Sequence, residues 1–575
     1  MAIIFSKTNP FTVPNTFQLK EENFFALAVP YTLSGNIVDV VNERIFKGRI
    51  YVNVFGDIEK IEEAENVVED CYIMPGFVDS HVHIESSMLM PSEFAREAVK
   101  HGVVAAICDP HEIANVLGIE GIEYFIENAE KSGFKFFFGA PSCVPAAPFE
   151  TSGAVLGVKE IEYLMKKENI WFLGEMMNFP GVVANNPEVM AKIQTAKNAH
   201  KPIDGHAPGL TGEDLRKYVN AGISTDHECM DICEAEEKLS LGMKILIREG
   251  SAAKNYDALY PLINRYPNSV MLCTDDSHPD DLIEGYIDKL VSKSMRKGLD
   301  FFNIMKAANI NPVMHYKVPV GLLREGDSAD FIITDTLEPD FKILKTYISG
   351  KIVYDRVGDE VNLHRPVVEI KNNFNAKEVT VNDIQVEVKS EEIRVIKVID
   401  RELYTEQLIE KPTVSNNKVI PSVENDILKI VVLNRYHKDA KPVVGFIKGF
   451  GLKRGAICST VAHDSHNLIA LGVDDQSIVQ CMNAVINLAG GIATCDNGIV
   501  DILSLPIAGI ISNNNAAKVA GDYCRLSNKV KEMGSPLTSP FMTLSFMALI
   551  VIPELKICDK GLFDVTTFNY TDLFV

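Results

Sequence analysis

Between residues 76 and 317 the chain repeats one pattern eight times: a short apolar run that ends in polar or small residues. The runs are GFVDSHVH, GVVAAICDPHE, FKFFFGAP, IWFLGE, PIDGH, GISTDH, MKILIREG and VMLCTDD. Stretches with apolar residues three and four apart separate most of them, among them SEFAREAVKHG, IEGIEYFIENAEKSG, PEVMAKIQTAKNAHK and GEDLRKYVNAG. Apolar spacing of three and four marks an amphipathic helix, and short apolar runs bounded by polar residues mark buried strands. Eight strand–helix units in roughly 245 residues match a (β/α)8 TIM-like barrel in number and in length. An open doubly wound sheet would need a glycine fingerprint after its first strand, and none is there.

The flanks read differently. Short β-segments fill about 36–75 (NIVDVV, RIFKGRIYVNVFGDIEKIE, NVVEDCYIMPG), and again 318–356 (VPVGLLREGDSADFIITD, LKTYISGKIVYD). Neither piece is large enough for a core of its own, so residues 1–75 and 318–370 are expected to pair into one small β-sandwich domain around a barrel at 76–317. From about 375 the chain begins again, with EIRVIKVID and DILKIVVLNR followed by helical patterns such as QSIVQCMNAVINLAG, which predicts a C-terminal α+β domain over 375–575. A formal charge of −22 argues against a nucleic-acid backbone as partner. No apolar run approaches a membrane span, MAIIFSKTNPFTVPN lacks the layout of a secretory signal, and eleven scattered cysteines suit reduced thiols, so a cytoplasmic protein with a small-molecule substrate is expected.

Reactive groups of such a barrel lie at the C-terminal ends of its strands. Read in order, those ends give His81 and His83 on strand 1, Glu175 on strand 4, His206 on strand 5, His227 on strand 6 and Asp275 on strand 8, with Asp109 and His111 at the end of strand 2. His81 and His83 are two apart, so a strand projects both to one face. All six residues of the main set carry imidazole or carboxylate, the groups that divalent first-row metals accept. Any one alone reads as an ordinary buried histidine or loop carboxylate. Together, arriving at matching strand ends, they read as a metal site.

The order His-X-His, a strand-4 ligand, His, His and Asp resembles the amidohydrolase superfamily. Its flanks, MPGFVDSHVHIESSM, CDPHEIANVLG, GAPSCVPAAPFE, LGEMMNFPGVV, DGHAPGL, STDHE and CTDDSHP, are similar to the metal-dependent bacterial adenine deaminases, as is GFGLKRGAICSTVAHDSHNLI near the C-terminus. The resemblance implies two divalent metal ions, manganese or iron first and zinc also compatible. His81, His83 and Asp275 would hold one, His206 and His227 the other, and Glu175 would bridge them. Many superfamily relatives bridge with a carboxylated lysine; here LGE supplies a glutamate, and Lys166 and Lys167 are assigned to the surface.

It further implies hydrolysis of adenine to hypoxanthine and ammonia by a metal-bound hydroxide, as in purine salvage, with Asp275 and Glu175 catalytic, Asp275 as the proton shuttle, and a homo-oligomer of two or more chains. Glu85, Ser86, His111 and Glu112 are placed to meet the purine. Orienting a metal histidine is a competing role for Glu85, and a first-turn carboxylate on a helix starting near Ile113 a competing role for Glu112. His463 and His466 are too few for a second metal site and suit polar loop packing, although His463 is also a candidate for closing over the substrate. Cys229 and Cys233 of ECMDIC are read as buried thiols or packing residues. The competing functions are a dihydroorotase- or hydantoinase-like enzyme acting on a cyclic amide or ureide, and a non-catalytic scaffold with the same fold.

Overall fold

The structure, a computed structural model, describes residues 29–251 and 254–575. The first 28 residues of the expected β-domain, and the N-terminal stretch read for a signal, lie outside the described residues. All eight expected barrel strands form: β1 Phe77–Val82, β2 Val103–Cys108, β3 Lys135–Ala140, β4 Ile170–Met176, β5 Ile203–Gly205, β6 Thr225–Asp226, β7 Lys244–Arg248 and β8 Val270–Cys273. Strands β1 to β5 pair in parallel in sequence order, as do β6 to β8. The ring closes at two joints. Ser224 N donates to Ile203 O at 3.0 Å and Gly205 N to Thr225 Oγ1 at 3.1 Å between β5 and β6. A parallel bridge joins Val82 to Asp275, and Asp275 N donates to His81 O at 3.0 Å. That second joint seats strand end 8 directly against strand end 1.

Strands from both flanks of the barrel share one eight-stranded sheet, in the order Glu360–Val361, Lys351–Asp355, Ile343–Ile348, Phe331–Thr334, Tyr72–Pro75, Tyr31–Asp39, Arg44–Val52 and Ile58–Glu63. The junction is antiparallel, with Phe331 opposite Pro75 and Thr334 opposite Tyr72. Ile37, Ile50, Ile73, Phe331 and Tyr347 bury one common core there. Apolar area contributed by two distant pieces thus stabilises a unit that neither could form by itself.

A second eight-stranded sheet, with strand Ile427–Leu433 near its middle, makes up much of the C-terminal part. The sequence ILKIVVL does not alternate because both faces of this strand are covered. Leu428, Ile430 and Val432 point into the cluster continuous with the barrel, while Val431 and Leu433 pack with Ile478, Cys481, Met482 and Val485 of helix Asp475–Asn487. Asp474 caps that helix by accepting from Ser477 N at 2.8 Å, satisfying one of its free first-turn donors. Barrel and C-terminal sheet therefore share apolar core, which presses the loops around residues 460–467 onto the barrel mouth.

Candidate metal centre

Strand ends β1, β4, β5, β6 and β8 deliver the predicted set to one place. His81 and His83 project together, with Nε2 atoms 3.1 Å apart. His83 Nε2 is 3.3 Å from Glu175 Oε1 and 3.2 Å from Asp275 Oδ1, and His81 Nε2 is 3.6 Å from the same aspartate oxygen. The other glutamate oxygen, Oε2, faces the opposite pair at 2.7 Å from His206 Nδ1 and 3.2 Å from His227 Nε2. Glu175 thus presents one oxygen to each of two histidine pairs. Its backbone is fixed by Glu175 N donating to Asp109 Oδ2 at 2.8 Å, and a Cβ on Gly174 would stand 2.3 Å from that oxygen, so the position requires glycine. Asp275 has φ of +59°, a left-handed conformation that aspartate tolerates better than most residues.

These distances test whether a divalent ion fits. Donor atoms of a tetrahedral centre with bonds of 2.0–2.1 Å lie about 3.3 Å apart. The convergent atoms here are 2.7–3.6 Å apart. His83 Nδ1 lies 2.9 Å from Asp109 O, and because a carbonyl only accepts, Nδ1 carries the hydrogen and Nε2 turns its lone pair to the centre. Two imidazole nitrogens facing each other at 3.1 Å with carboxylate oxygens beside them, all buried, form a donor set that a divalent cation would join. The residues fit the group.

The electrostatics agree. Burial pushes the Glu175 carboxyl up, but His206, His227 and His83 outweigh it and hold it well below the carboxylate range. Asp275 is likewise held low, by Arg248 and His83 against burial. His81 is driven well down, first by burial and then by repulsion from His227 and His83, which leaves a neutral ligand nitrogen.

Four residues that the strand-end reading passed over complete this floor. Arg248, ending β7, bonds Asp275 Oδ2 and Glu228 Oε1 through Nη1 and reaches Glu228 Oε2 through Nη2 at 2.8 Å. Glu228 Oε1 is 3.4 Å from His227 Nε2 and 3.6 Å from His206 Nδ1. Both residues stood in quoted motifs, STDHE and MKILIREG, and a charged residue at a barrel strand end was the available signal. Lys238, fully buried, donates to Ala207 O at 2.7 Å, Asp226 Oδ2 at 2.9 Å and Glu234 Oε1 at 2.7 Å. Asp226 Oδ1 in turn accepts from Ala207 N at 2.8 Å, so one buried ammonium ties together the loops that follow His206 and precede His227. No sequence pattern marked Lys238, because its role lies in tertiary contacts.

The residues expected near the purine divide. Glu85 Oε1 accepts from Ile113 N at 3.0 Å, and Ser86 Oγ donates to Asp276 Oδ1, so both have protein partners. Burial brings the Glu85 carboxyl up to about 7. His111 stands beside the centre, with Nδ1 3.4 Å from Glu175 Oε1 and Nε2 3.5 Å from Glu112 Oε1. Glu112 is a first-turn carboxylate, as its competing role has it, on helix His111–Leu117, which starts two residues before Ile113; the same carboxylate also pairs with His463 Nδ1 and His466 Nε2.

His463 also stacks on Phe546 at 4.8 Å with planes 13° apart, and His463 N donates to Ser545 Oγ at 3.3 Å. The AHDSHN segment therefore roofs the barrel mouth. Burial lowers His463, but Glu112 more than compensates and raises it to about 9; for His466 burial prevails, down to about 4. Cys229 is buried as expected, whereas Cys233 is exposed on helix Ile232–Ser240. Lys167 pairs with Glu123 at 2.7 Å, away from the centre.

Comparison with known proteins defines the class first. The amidohydrolase family matches residues 72–353, the segment that builds the barrel and its convergent donors, and such enzymes bind divalent metal. The adenine deaminase C-terminal domain matches residues 402–569. An adenine deaminase of Methanosarcina mazei is 52% identical over 556 residues, covering 94% of this chain and 99% of that protein. Adenine deaminases of Parabacteroides distasonis (48% over 543 residues; 94% and 98%) and Borreliella burgdorferi (48% over 554 residues; 94% and 99%) are similar at nearly the same length. The chain belongs to the adenine deaminase family.

Proposed function

We propose that this enzyme hydrolyses adenine to hypoxanthine and ammonia at a centre of two divalent ions, one held by His81, His83 and Asp275, the other by His206 and His227, with Glu175 shared. The observation that carries the reading is Glu175, whose two oxygens face two separate histidine pairs. Divalent ions held there supply Lewis acidity, which brings the ionisation of water into the neutral range.

The chain's own residues do the rest. Asp275 is kept ionised by Arg248, so it takes a proton from the attacking water and later gives it to the departing amine. Arg248 occupies Oδ2, which leaves Oδ1 facing the centre. His111, Glu112 and His463 form the side and roof of the purine site, and the roof excludes bulk water, strengthening each polar contact beneath it. Glu85 and Ser86 shape that site through Ile113 and Asp276.

The same reading takes the metals as manganese or iron and divides the chain into the flank-built β-domain (residues to 75 and 318–370), the barrel (76–317) and the C-terminal domain from 375. It places a homo-oligomer in the cytoplasm, feeding hypoxanthine to purine salvage. Eleven unpaired thiols suit a reducing compartment, and no described helix is long and apolar enough to cross a membrane.

The test is an assay of manganese-loaded protein with adenine, adenosine, guanine and a cyclic ureide in parallel, together with metal analysis. Ammonia and hypoxanthine from adenine, with two metals per chain, are expected. Turnover of guanine or nucleosides alone would overturn the substrate. Fewer than one metal in fully active protein would overturn the centre.

A further inference from the structure

One carboxylate at the barrel mouth has no task in the scheme above. Asp464 lies between the two roof histidines in sequence and is 4% exposed, yet its Oδ2 has no hydrogen-bond partner among the described residues. Its carboxylate gathers with His111 and Glu112, with donor atoms all within 4.8 Å of one another. Glu112 is occupied by two histidines, and Asp109, which also has an unpartnered oxygen, is committed through Oδ2 to Glu175 N, whereas Asp464 keeps Oδ2 free. Neighbouring atoms are also unpartnered: His463 Nε2 and His111 Nδ1. A buried polar oxygen left without a partner is costly, a cost that a bound ligand removes.

The chemistry of adenine names the ligand edge. Adjacent to the reacting C6, the ring presents N1, an acceptor, and the amino group, a donor. A protonated carboxyl presents one donor and one acceptor in the same spacing and pairs with that edge through two hydrogen bonds. The reaction must also deliver a proton to N1, since hypoxanthine carries hydrogen there.

Resting on the deaminase reading above, we propose that Asp464, brought in by the C-terminal segment, is a catalytic residue that binds the N1–amino edge of adenine and donates the N1 proton. As the water oxygen bonds to C6, one water proton passes to Asp275 and N1 receives the proton of Asp464. As the C6–amino bond breaks, the Asp275 proton leaves with ammonia and the remaining hydroxyl proton returns to Asp464. Two water protons enter, one departs in ammonia, and one restores the acid. The surroundings favour a proton-holding state: burial and then Glu112 bring the Asp464 carboxyl up to about 6, against His111 and His463.

Asparagine separates binding from proton transfer, because its amide keeps a donor and an acceptor but has no acidic proton. For Asp464→Asn the expected result is KM within about 3-fold of wild type, kcat lower by about 100-fold or more, and unchanged metal content. Asp464→Ala should lose both KM and kcat, and Asp464→Glu should recover part of kcat. A kcat of Asp464→Asn within 3-fold of wild type overturns the proposal, as does a fall in metal content parallel to the fall in kcat. If Asp464→Asn fails to melt cooperatively, Asp464→Ser is judged by the same criteria. Wild-type protein runs alongside: inactivity of wild type towards adenine defeats the deaminase reading itself, whereas an active wild type with an equally active Asp464→Asn defeats only the role of Asp464.

Discussion

The floor and the roof of the site are built by opposite means. The floor comes from the ends of five barrel strands, β1, β4, β5, β6 and β8, where barrel geometry alone brings His81, His83, Glu175, His206, His227 and Asp275 together. The roof comes from a segment more than 350 residues away from Glu112 in sequence, held through His463 and His466. Within the floor His83 and His227 repel positive charge at His81, which keeps its ring nitrogen available as a ligand. The roof is held by one carboxylate, one stacked ring and the sheet behind it, and its loss should damage substrate handling while sparing metal.

Four substitutions would break or sharpen that contrast. Glu175→Ala removes the group shared by both histidine pairs. It should lower kcat/KM by about 1,000-fold or more and lower metal content with it, read by ammonia release and elemental analysis. Retained metal with full loss of rate would blur the distinction between floor and roof.

Lys238→Met acts on the floor from behind. It leaves Asp226 and Glu234 buried without their ammonium, which should cost about 3–5 kcal/mol in thermal or denaturant unfolding. Slack in the loops of His206 and His227 should weaken metal binding by about 10–100-fold in a chelator competition. An unchanged metal affinity would leave Lys238 a purely structural residue.

His463→Ala opens the roof. Loss of a hydrogen bond to the ionised Glu112 should raise KM or lower kcat by about 10-fold or more, with metal content at the wild-type level. Unchanged kinetics would strip the roof of its part in substrate closure.

The smallest effect concerns Lys556, which supports the roof by donating to Phe546 O at 3.0 Å and Leu403 O at 2.6 Å. Burial brings its ammonium down to about 7. The unfolded chain holds that proton up to about 10.4, so between pH 7 and 10 the unfolded state binds more protons and rising pH stabilises the fold. Below pH 7 both states are protonated and the full cost of the buried charge remains. Across melts at pH 7, 8.5 and 10, the Tm difference between wild type and Lys556→Met should shift in favour of wild type as pH rises. A flat difference would mean that Lys556 does not lose its proton near neutrality.

The same contrast explains what was legible in the sequence. Barrel strands carry a local signature, an apolar run that stops at a polar residue, so all eight and the floor histidines could be found one at a time. Arg248 and Glu228 stood in the same motifs but act through each other across neighbouring strands, and nothing in either run marks the pairing. Glu112 was legible as a first-turn helix carboxylate, which it is, but a sequence shows only its neighbours along the chain, so its pairing with His463 and His466 stayed hidden. Asp464 was overshadowed by flanking histidines that are easier to read as ligands. Lys238 illustrates the limit most clearly, since a lysine on a helix ordinarily faces water and only tertiary packing shows that this one does not.

The clasp of Glu112 between His463 and His466 also bears on how such a protein can be shortened or recombined. The barrel is a complete ring of strands, yet its mouth holds a carboxylate whose partners His463 and His466 belong to another part of the chain. A chain cut near residue 375 would keep every donor of the floor and lose both histidines of the clasp, leaving an open bowl in which only His111 and water face the Glu112 carboxylate. The last 200 residues or so are thus half of the reaction vessel, and any exchange of this barrel between proteins must carry a matching cover with it.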